Sequence, residues 1–157
     1  MQHQSIRHMV KYFSYFVLLK LLKLFIMTAK TGALIWAFAF LAVGALGFFD
    51  NPLIGESENA IFHADTIHNW VHIVSGVLFL LVALAAPGSA KGFLILFGIV
   101  YLGLGVLGII QFGTDGMGKL LGFLHVNGAD NYLHIALGAL IALTGLSAGR
   151  TSTNRNV

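Results

Sequence analysis

Four histidines occupy matched positions in two similar stretches of the sequence. His63 precedes His72 by nine residues, and His125 precedes His134 by the same spacing. Imidazole binds zinc, copper and haem iron, so these residues are candidate ligands of a divalent transition metal or of a b-type haem. The sequence contains no cysteine, which excludes thiolate metal sites and disulfide bonds.

The similarity of the two stretches extends beyond histidine. The motif N-x-x-H-x-x-x-G occurs once in each, as Asn69, His72 and Gly76 and then as Asn131, His134 and Gly138. An aromatic residue follows each asparagine, and glycine pairs farther upstream also match. We interpret the chain as a tandem duplication with units at residues 31–88 and 92–149.

The composition places most of the protein surface in lipid. Of 157 residues, 57% are hydrophobic and only 10% are charged, too few polar residues to cover a water-soluble fold of this length. Four apolar segments are each long enough to cross the hydrocarbon region of a bilayer. They are Ala33–Phe49, Asn69–Ala86, Gly92–Phe112 and Asn131–Ala148. We therefore predict an all-α integral membrane four-helix bundle over residues 31–149, built from a tandem two-helix repeat.

The charged residues predict the orientation of this bundle. Every lysine and arginine except Lys119 precedes the first apolar segment, lies between the second and third, or follows the fourth. All six acidic residues lie in the other two loops. Because basic residues concentrate on the cytoplasmic side of membrane proteins, we predict a multi-pass protein of the inner (plasma) membrane. Both termini are then cytoplasmic, including a tail at residues 150–157, and the membrane explains the basic excess without a nucleic-acid partner.

Residues 1–30 form a separate segment that is both basic and apolar. Lys20 and Lys23 interrupt its apolar part, which leaves it too short for a membrane-spanning helix. We predict an amphipathic helix lying in the membrane interface, with its lysines reaching the lipid headgroups. A chain that starts at Met27 is the alternative, because it would still contain every feature described above.

On a helix, the asparagine, histidine and glycine of each motif lie on one face. The histidine is then about one turn inside the asparagine. This spacing places His72 and His134 near the outer interface, and a twofold relation between the two units can bring them face to face.

Three interpretations of these histidines remain open. In the first, His72 and His134 are structural, and hydrogen bonds to loop carbonyls or to the motif asparagines tie each loop to its helix, because buried polar groups in lipid need partners. In the second, the same two residues are axial ligands of a haem b, and the motif glycines leave room for the macrocycle. In the third, a divalent metal such as zinc or copper is bound by His63, His72, His125 and His134.

Other polar residues near the motifs have simpler interpretations. His68 has no histidine counterpart in the second stretch and is interpreted as a solvated loop residue. Asp65 or Thr66 is expected to cap the second helix, and Asp130 the fourth. The apolar run Lys119–Leu124 is expected to form a short helix at the outer interface.

The sequence lacks the patterns typical of transporters and hydrolases. The four apolar segments contain no Asp, Glu, Lys or Arg and no proline, whereas ion-coupled transporters usually contain one or the other. No serine–histidine, paired-carboxylate or cysteine pattern indicates hydrolysis. We therefore expect that the protein is not an enzyme.

With its two N-x-x-H-x-x-x-G motifs on the second and fourth predicted helices, the chain from Ala33 to Gly149 resembles a family of small four-helix bacterial membrane proteins catalogued as a domain of unknown function. The resemblance implies a prokaryotic inner-membrane protein and brings no established activity. We predict a small structural or accessory protein that contacts the lipid bilayer and associates with itself or with a larger membrane complex. The alternative is a haem- or metal-binding membrane protein, with electron transfer as a role.

Overall fold

Four long α-helices make up most of the computed structural model, which describes residues 27–49, 51–57 and 60–149. The helices are α1 (Ala29–Leu46), α2 (Thr66–Ala85), α3 (Ala90–Phe112) and α4 (Gly128–Ser147), and the turn Pro87–Ser89 joins α2 to α3. All four are long and apolar enough to cross a membrane, which confirms an all-α membrane protein with four spanning helices. The predicted interfacial helix and the tail at 150–157 lie outside the described residues.

Polar caps make α1 and α2 begin earlier than the apolar segments indicate. The Thr28 hydroxyl accepts a hydrogen bond from the backbone N–H of Thr31 at the start of α1. The Asp65 carboxylate accepts one from the N–H of His68 at the start of α2. These bonds satisfy N–H groups that have no partner inside the helix, and they confirm Asp65 as the cap of α2.

The start of α4 corrects the expected cap. Asn127, and not Asp130, is the N-cap residue, and its side chain accepts a 2.9 Å hydrogen bond from the N–H of Asp130. The Asp130 carboxylate in turn accepts a 2.8 Å bond from the N–H of Asn127. This reciprocal pair is a capping box, so Asp130 supports the helix start from the third helical position.

Short strands form the two loops at the end of the bundle where α2 and α4 begin. Strand β1 (Ile54–Gly55) pairs in parallel with β2 (Phe62–His63). Strand β3 (Gly118–Leu120) pairs antiparallel with β4 (Leu124–Val126). The expectation of a short helix over Lys119–Leu124 is therefore wrong. Positive φ angles of 55° and 83° at its central residues turn the chain back on itself, which a continuous helix does not allow.

Each loop joins two helices that pack closely through small residues. A Cβ atom added to Gly44 of α1 would lie 2.8 Å from the carbonyl oxygen of Asn69 in α2, and one added to Gly76 would lie 2.9 Å from the carbonyl oxygen of Ala37. These positions require glycine, because the helix backbones approach so closely that a side chain would clash. The two helices of the hairpin α1–α2 are in close backbone contact at both of these glycines.

The hairpin α3–α4 closes in the same way. A Cβ atom on Gly105 would meet the carbonyl of Asn131, and one on Gly138 would lie 2.7 Å from the carbonyl oxygen of Gly98. The motif glycines therefore seat neighbouring helices against each other. The haem interpretation expected these glycines to leave room for a macrocycle, and they do not.

Large aromatic side chains fill the space between the two hairpins. The ring of Phe40 in α1 lies 5.5 Å from that of Phe79 in α2 and 4.9 Å from that of Tyr101 in α3. The Tyr101 hydroxyl is 2.9 Å from the hydroxyl of Ser75. At the far end of the bundle, a backbone bridge between Thr28 and Gly149 brings the start of α1 beside the end of α4.

Candidate functional site

Three buried histidines meet where α2 and α4 approach each other below the loops. They are His68 and His72 of α2 and His134 of α4, and each offers a ring nitrogen within 4.8 Å of those of the other two. Their exposed fractions are 2%, 7% and 6% in that order. The rings of His72 and His134 are nearly parallel, with centroids 6.1 Å apart, so the expectation that these two residues face each other is confirmed.

His68 is the member of this cluster that the sequence interpretation missed. It is not a solvated loop residue: its ring lies 4.8 Å from that of His72 and 5.6 Å from that of His134. The reason is the early start of α2, which places His68 and His72 at helix positions i and i+4, on the same face. The H-x-x-x-H spacing was the signal in the sequence.

A backbone contact fixes the orientation of the His68 ring. Its Nδ1 atom lies 2.8 Å from the carbonyl oxygen of His125 in β4, and since a carbonyl only accepts, Nδ1 carries the donated proton. The lone pair of His68 is then on Nε2. Metal-binding histidines usually donate their second ring N–H to a carbonyl or carboxylate in this way.

The other two histidines differ from His68 at their Nδ1 atoms. Nδ1 of His72 is buried and makes no hydrogen bond with any described residue. Nδ1 of His134 is buried too and makes no well-formed hydrogen bond, but the backbone of Asp130, one turn earlier in α4, interacts with that ring. The structural interpretation expected both to bond loop carbonyls or asparagines. Instead it is His68 that bonds the loop carbonyl. Buried polar atoms without partners are costly, and here they include amide atoms of Asn69 and Asn131 as well as these ring nitrogens.

The motif asparagines contact the loop side of the opposite helix in each hairpin. Asn69 donates a 2.8 Å hydrogen bond from Nδ2 to the carbonyl of Gly47. A Cβ atom on Gly47 or on Gly108 would overlap the amide of Asn69 or Asn131, respectively. Both asparagines are buried, and they position the helix starts without bonding the histidines.

Asp130 occupies the helix position in α4 that His68 occupies in α2. Besides the N–H of Asn127, its carboxylate accepts a 3.0 Å hydrogen bond from the backbone N–H of His63 in β2. His68 thus bonds the loop of the second hairpin and Asp130 bonds the loop of the first. The two loops are tied across the bundle by this exchange.

His63 and His125 form a separate pair above the three-histidine cluster. Their ring centroids are 5.1 Å apart, and His63 is buried whereas His125 is half-buried. Only their backbone atoms are bonded to Asp130 and His68. The four histidines expected to share a metal therefore lie as two pairs, and among the described residues the group with converging ring nitrogens is the one completed by His68.

A cavity of about 180 Å³ opens beside the cluster and contacts all three of its imidazoles. Its other walls come from α1, α4 and the first loop and are mostly apolar. Pockets for drug-sized ligands measure about 300–1,000 Å³, so this one is too small for a porphyrin. The ring of Phe40, stacked 5.6 Å from that of His72, narrows the space further.

The chain was also compared with known proteins. No curated protein and no solved structure matches it. Residues 30–147 match the family described as a domain of unknown function, DUF4383. That range includes all of the spanning helices except the first residue of α1. The chain therefore belongs to the DUF4383 family.

Proposed function

We propose that this protein is a small accessory protein of the inner membrane that binds one divalent transition-metal ion between His68, His72 and His134. The observation that carries the proposal is the convergence of one ring nitrogen from each of three buried histidines within 4.8 Å of one another.

The distances suit a metal after a small adjustment. Zinc–nitrogen bonds of about 2.0–2.1 Å in a tetrahedral site place ligand nitrogens about 3.3 Å apart. The three imidazoles therefore need only rotate and shift inward by about an ångström or two. Three protein ligands leave a fourth position open, which is the arrangement of reactive or exchangeable sites rather than of closed structural ones.

The surroundings supply what a buried cation needs. The carbonyl of His125 orients the His68 ring, and the buried carboxylate of Asp130 lines the same cavity. A dication in a low-dielectric site is unstable without a compensating negative charge. The Asp130 carboxylate provides one when it is ionised, without being a ligand itself.

The ligand set indicates which metals fit. Imidazole suits zinc, copper, nickel and iron, whereas magnesium and calcium prefer oxygen ligands. With no cysteine in the chain, the soft monovalent copper ion is a poor match. We expect zinc or divalent copper.

The charge distribution supports an orientation for the site. Every lysine and arginine except Lys119 lies toward the helix ends opposite the cluster or in the terminal segments, and the acidic residues lie in the loops beside the cluster. By the positive-inside rule, this pattern supports cytoplasmic termini and a cluster near the outer surface. We propose that the protein binds the metal and does not catalyse a reaction. It acts alone, as a homo-oligomer or within a larger membrane complex.

Metal analysis of the purified protein tests the proposal. Detergent-solubilised protein is stripped with chelator, loaded with zinc or copper, desalted and measured by elemental mass spectrometry, with one ion per chain expected. His68→Asn should abolish retention, because the amide can still donate to the His125 carbonyl but offers no imidazole.

The matched control is His125→Asn, which makes the same substitution at a histidine whose ring lies outside the cluster. It should retain the metal. Retention of the metal in His68→Asn with loss in His125→Asn would favour the four-histidine set, and no metal in the unmodified chain would reject the proposal.

A further inference from the structure

We propose that the cavity beside the cluster binds a membrane-soluble molecule with a flat, uncharged ring that carries hydrogen-bonding oxygens, which is the chemistry of quinones and quinols. The proposal goes beyond metal binding and does not require it. It rests on where the cavity opens, on what its counterpart across the bundle contains, and on the polar atoms at its inner end.

The cavity opens sideways into the region of the membrane. Its rim is formed by Ala39, which is exposed, and by the half-buried Val43, Leu133 and Leu137 of α1 and α4. Below it, the indole N–H of Trp36 donates a 3.2 Å hydrogen bond to the Thr144 hydroxyl and closes the floor. Because both helices are long and apolar enough to span the membrane, we expect a molecule to reach this opening from the hydrocarbon and not from water.

The corresponding cleft on the opposite side of the bundle, between α2 and α3, is filled. A residual space of about 10 Å³ remains there. The side chains of Leu120, Leu124 and Val126 from the β3–β4 hairpin plug it and pack against Val71. The first loop contributes Phe62 to the cavity wall but leaves the volume open. The two sides of the bundle therefore differ, because the cleft between α2 and α3 is packed and the one between α1 and α4 is open.

The inner end of the cavity selects the polar part of the ligand. His72 and His134 line it and are more than nine-tenths buried. Their Nδ1 atoms are fully enclosed by protein, so a ligand in the cavity would reach these imidazoles through their other ring atoms, Nε2 included. No lysine or arginine lines the cavity and Asp130 does, so an anionic headgroup is disfavoured. Ring oxygens can bond the imidazoles, and the flat face of Phe40, stacked 5.6 Å from His72, suits an aromatic-like ring.

The test uses the two tryptophans of the chain. Trp70 is exposed, so Trp70→Phe leaves Trp36, a wall of the cavity, as the only fluorophore. Chelator-treated protein of this background, in detergent, is titrated with a short-tailed benzoquinone. Saturable quenching of Trp36 is expected, and an alcohol with the same tail but no ring should not displace the quinone.

Two variants fill the cavity and one serves as control. Ala39→Phe blocks the opening and should weaken binding about tenfold or more, and Leu133→Phe repeats the test from the facing helix. Val100→Phe places the same ring on an exposed position of α3, where the native residue is 46% exposed, and should leave binding unchanged.

Quenching that rises linearly without saturation, or that is the same in all variants, would overturn the proposal. So would displacement of the quinone by the ringless alcohol. Because the titration is done without metal, its failure is distinct from failure of the metal proposal.

Discussion

The hairpins α1–α2 and α3–α4 can be compared contact by contact. In both, a glycine of the first helix lies against an asparagine carbonyl of the second, and a later glycine lies against that asparagine's amide. In both, the second helix begins with a side-chain cap, Asp65 in one and Asn127 in the other. These shared contacts close each hairpin.

The hairpins differ at the third residue of their second helices. There α2 has His68, whose ring joins the histidine cluster, and α4 has Asp130, whose carboxylate bonds the other loop. The two loops also differ. The β3–β4 hairpin fills the cleft between α2 and α3, whereas the first loop leaves the cavity between α1 and α4 open. The shared residues therefore build the scaffold, and the residues that differ form the candidate site.

The largest expected effect tests the shared scaffold. Gly138→Ala places a methyl group 2.7 Å from the Gly98 carbonyl oxygen, and helices that cannot move apart lose about 3 kcal/mol of stability to such overpacking. Gly76→Ala should be comparable, since its methyl would lie 2.9 Å from the Ala37 carbonyl oxygen. Unfolding in detergent, followed by circular dichroism, measures both.

The matched control is Gly103→Ala. No atom lies within 4 Å of the added methyl, and alanine favours the helix by up to about 1 kcal/mol. If only one of the two motif glycines were sensitive, the hairpins would not close by the same contact.

An intermediate effect is expected where the hairpins differ. Asp130→Ala leaves the N–H groups of His63 and Asn127 without their acceptor, which costs about 2 kcal/mol. Asp130→Asn keeps an oxygen acceptor of the same shape and should recover most of this loss. Denaturant-induced unfolding of the three proteins gives the order, and equal stability of Asp130→Ala and the unmodified chain would show that the tie between the loops is not stabilising.

The smallest effect is expected at the hydroxyl pair between the hairpins. Tyr101→Phe removes the 2.9 Å contact with Ser75 and makes the residue chemically like Phe40, with a cost of about 1 kcal/mol. Tyr132→Phe, the same change at an exposed position, should have no measurable effect. A larger loss at Tyr132 than at Tyr101 would contradict the assignment of this contact as a bond that joins the two halves.

Much of the scaffold could be predicted from the sequence, because the lengths of the apolar segments and the residue spacing within the motifs directly indicate helices. The four spanning helices and the meeting of His72 with His134 follow from these patterns. His68 was missed because its counterpart in the repeat is Asp130. A comparison of the two stretches detects matching residues, whereas the H-x-x-x-H spacing lies within a single helix. Residues that do not match carry no signal in such a comparison.

The loops were less predictable because their form depends on distant contacts. The run Lys119–Leu124 is apolar without clear alternation, and the hairpin it forms is fixed by burying Leu120, Leu124 and Val126 against the helices. The cap at Asn127 likewise depends on a bond to the other loop, in which its amide donates to the carbonyl of Ile61. The cavity depends on which loop fills its cleft, and neither composition nor periodicity contains that information.

The bridge between Thr28 and Gly149 brings the two ends of the bundle close enough to be joined. A short linker that joins these two residues, combined with a cut in the Pro87–Ser89 turn, would give a circular permutant in which α3 and α4 are synthesised first. Each hairpin crosses the membrane twice, so rearranging them preserves the topology of every helix.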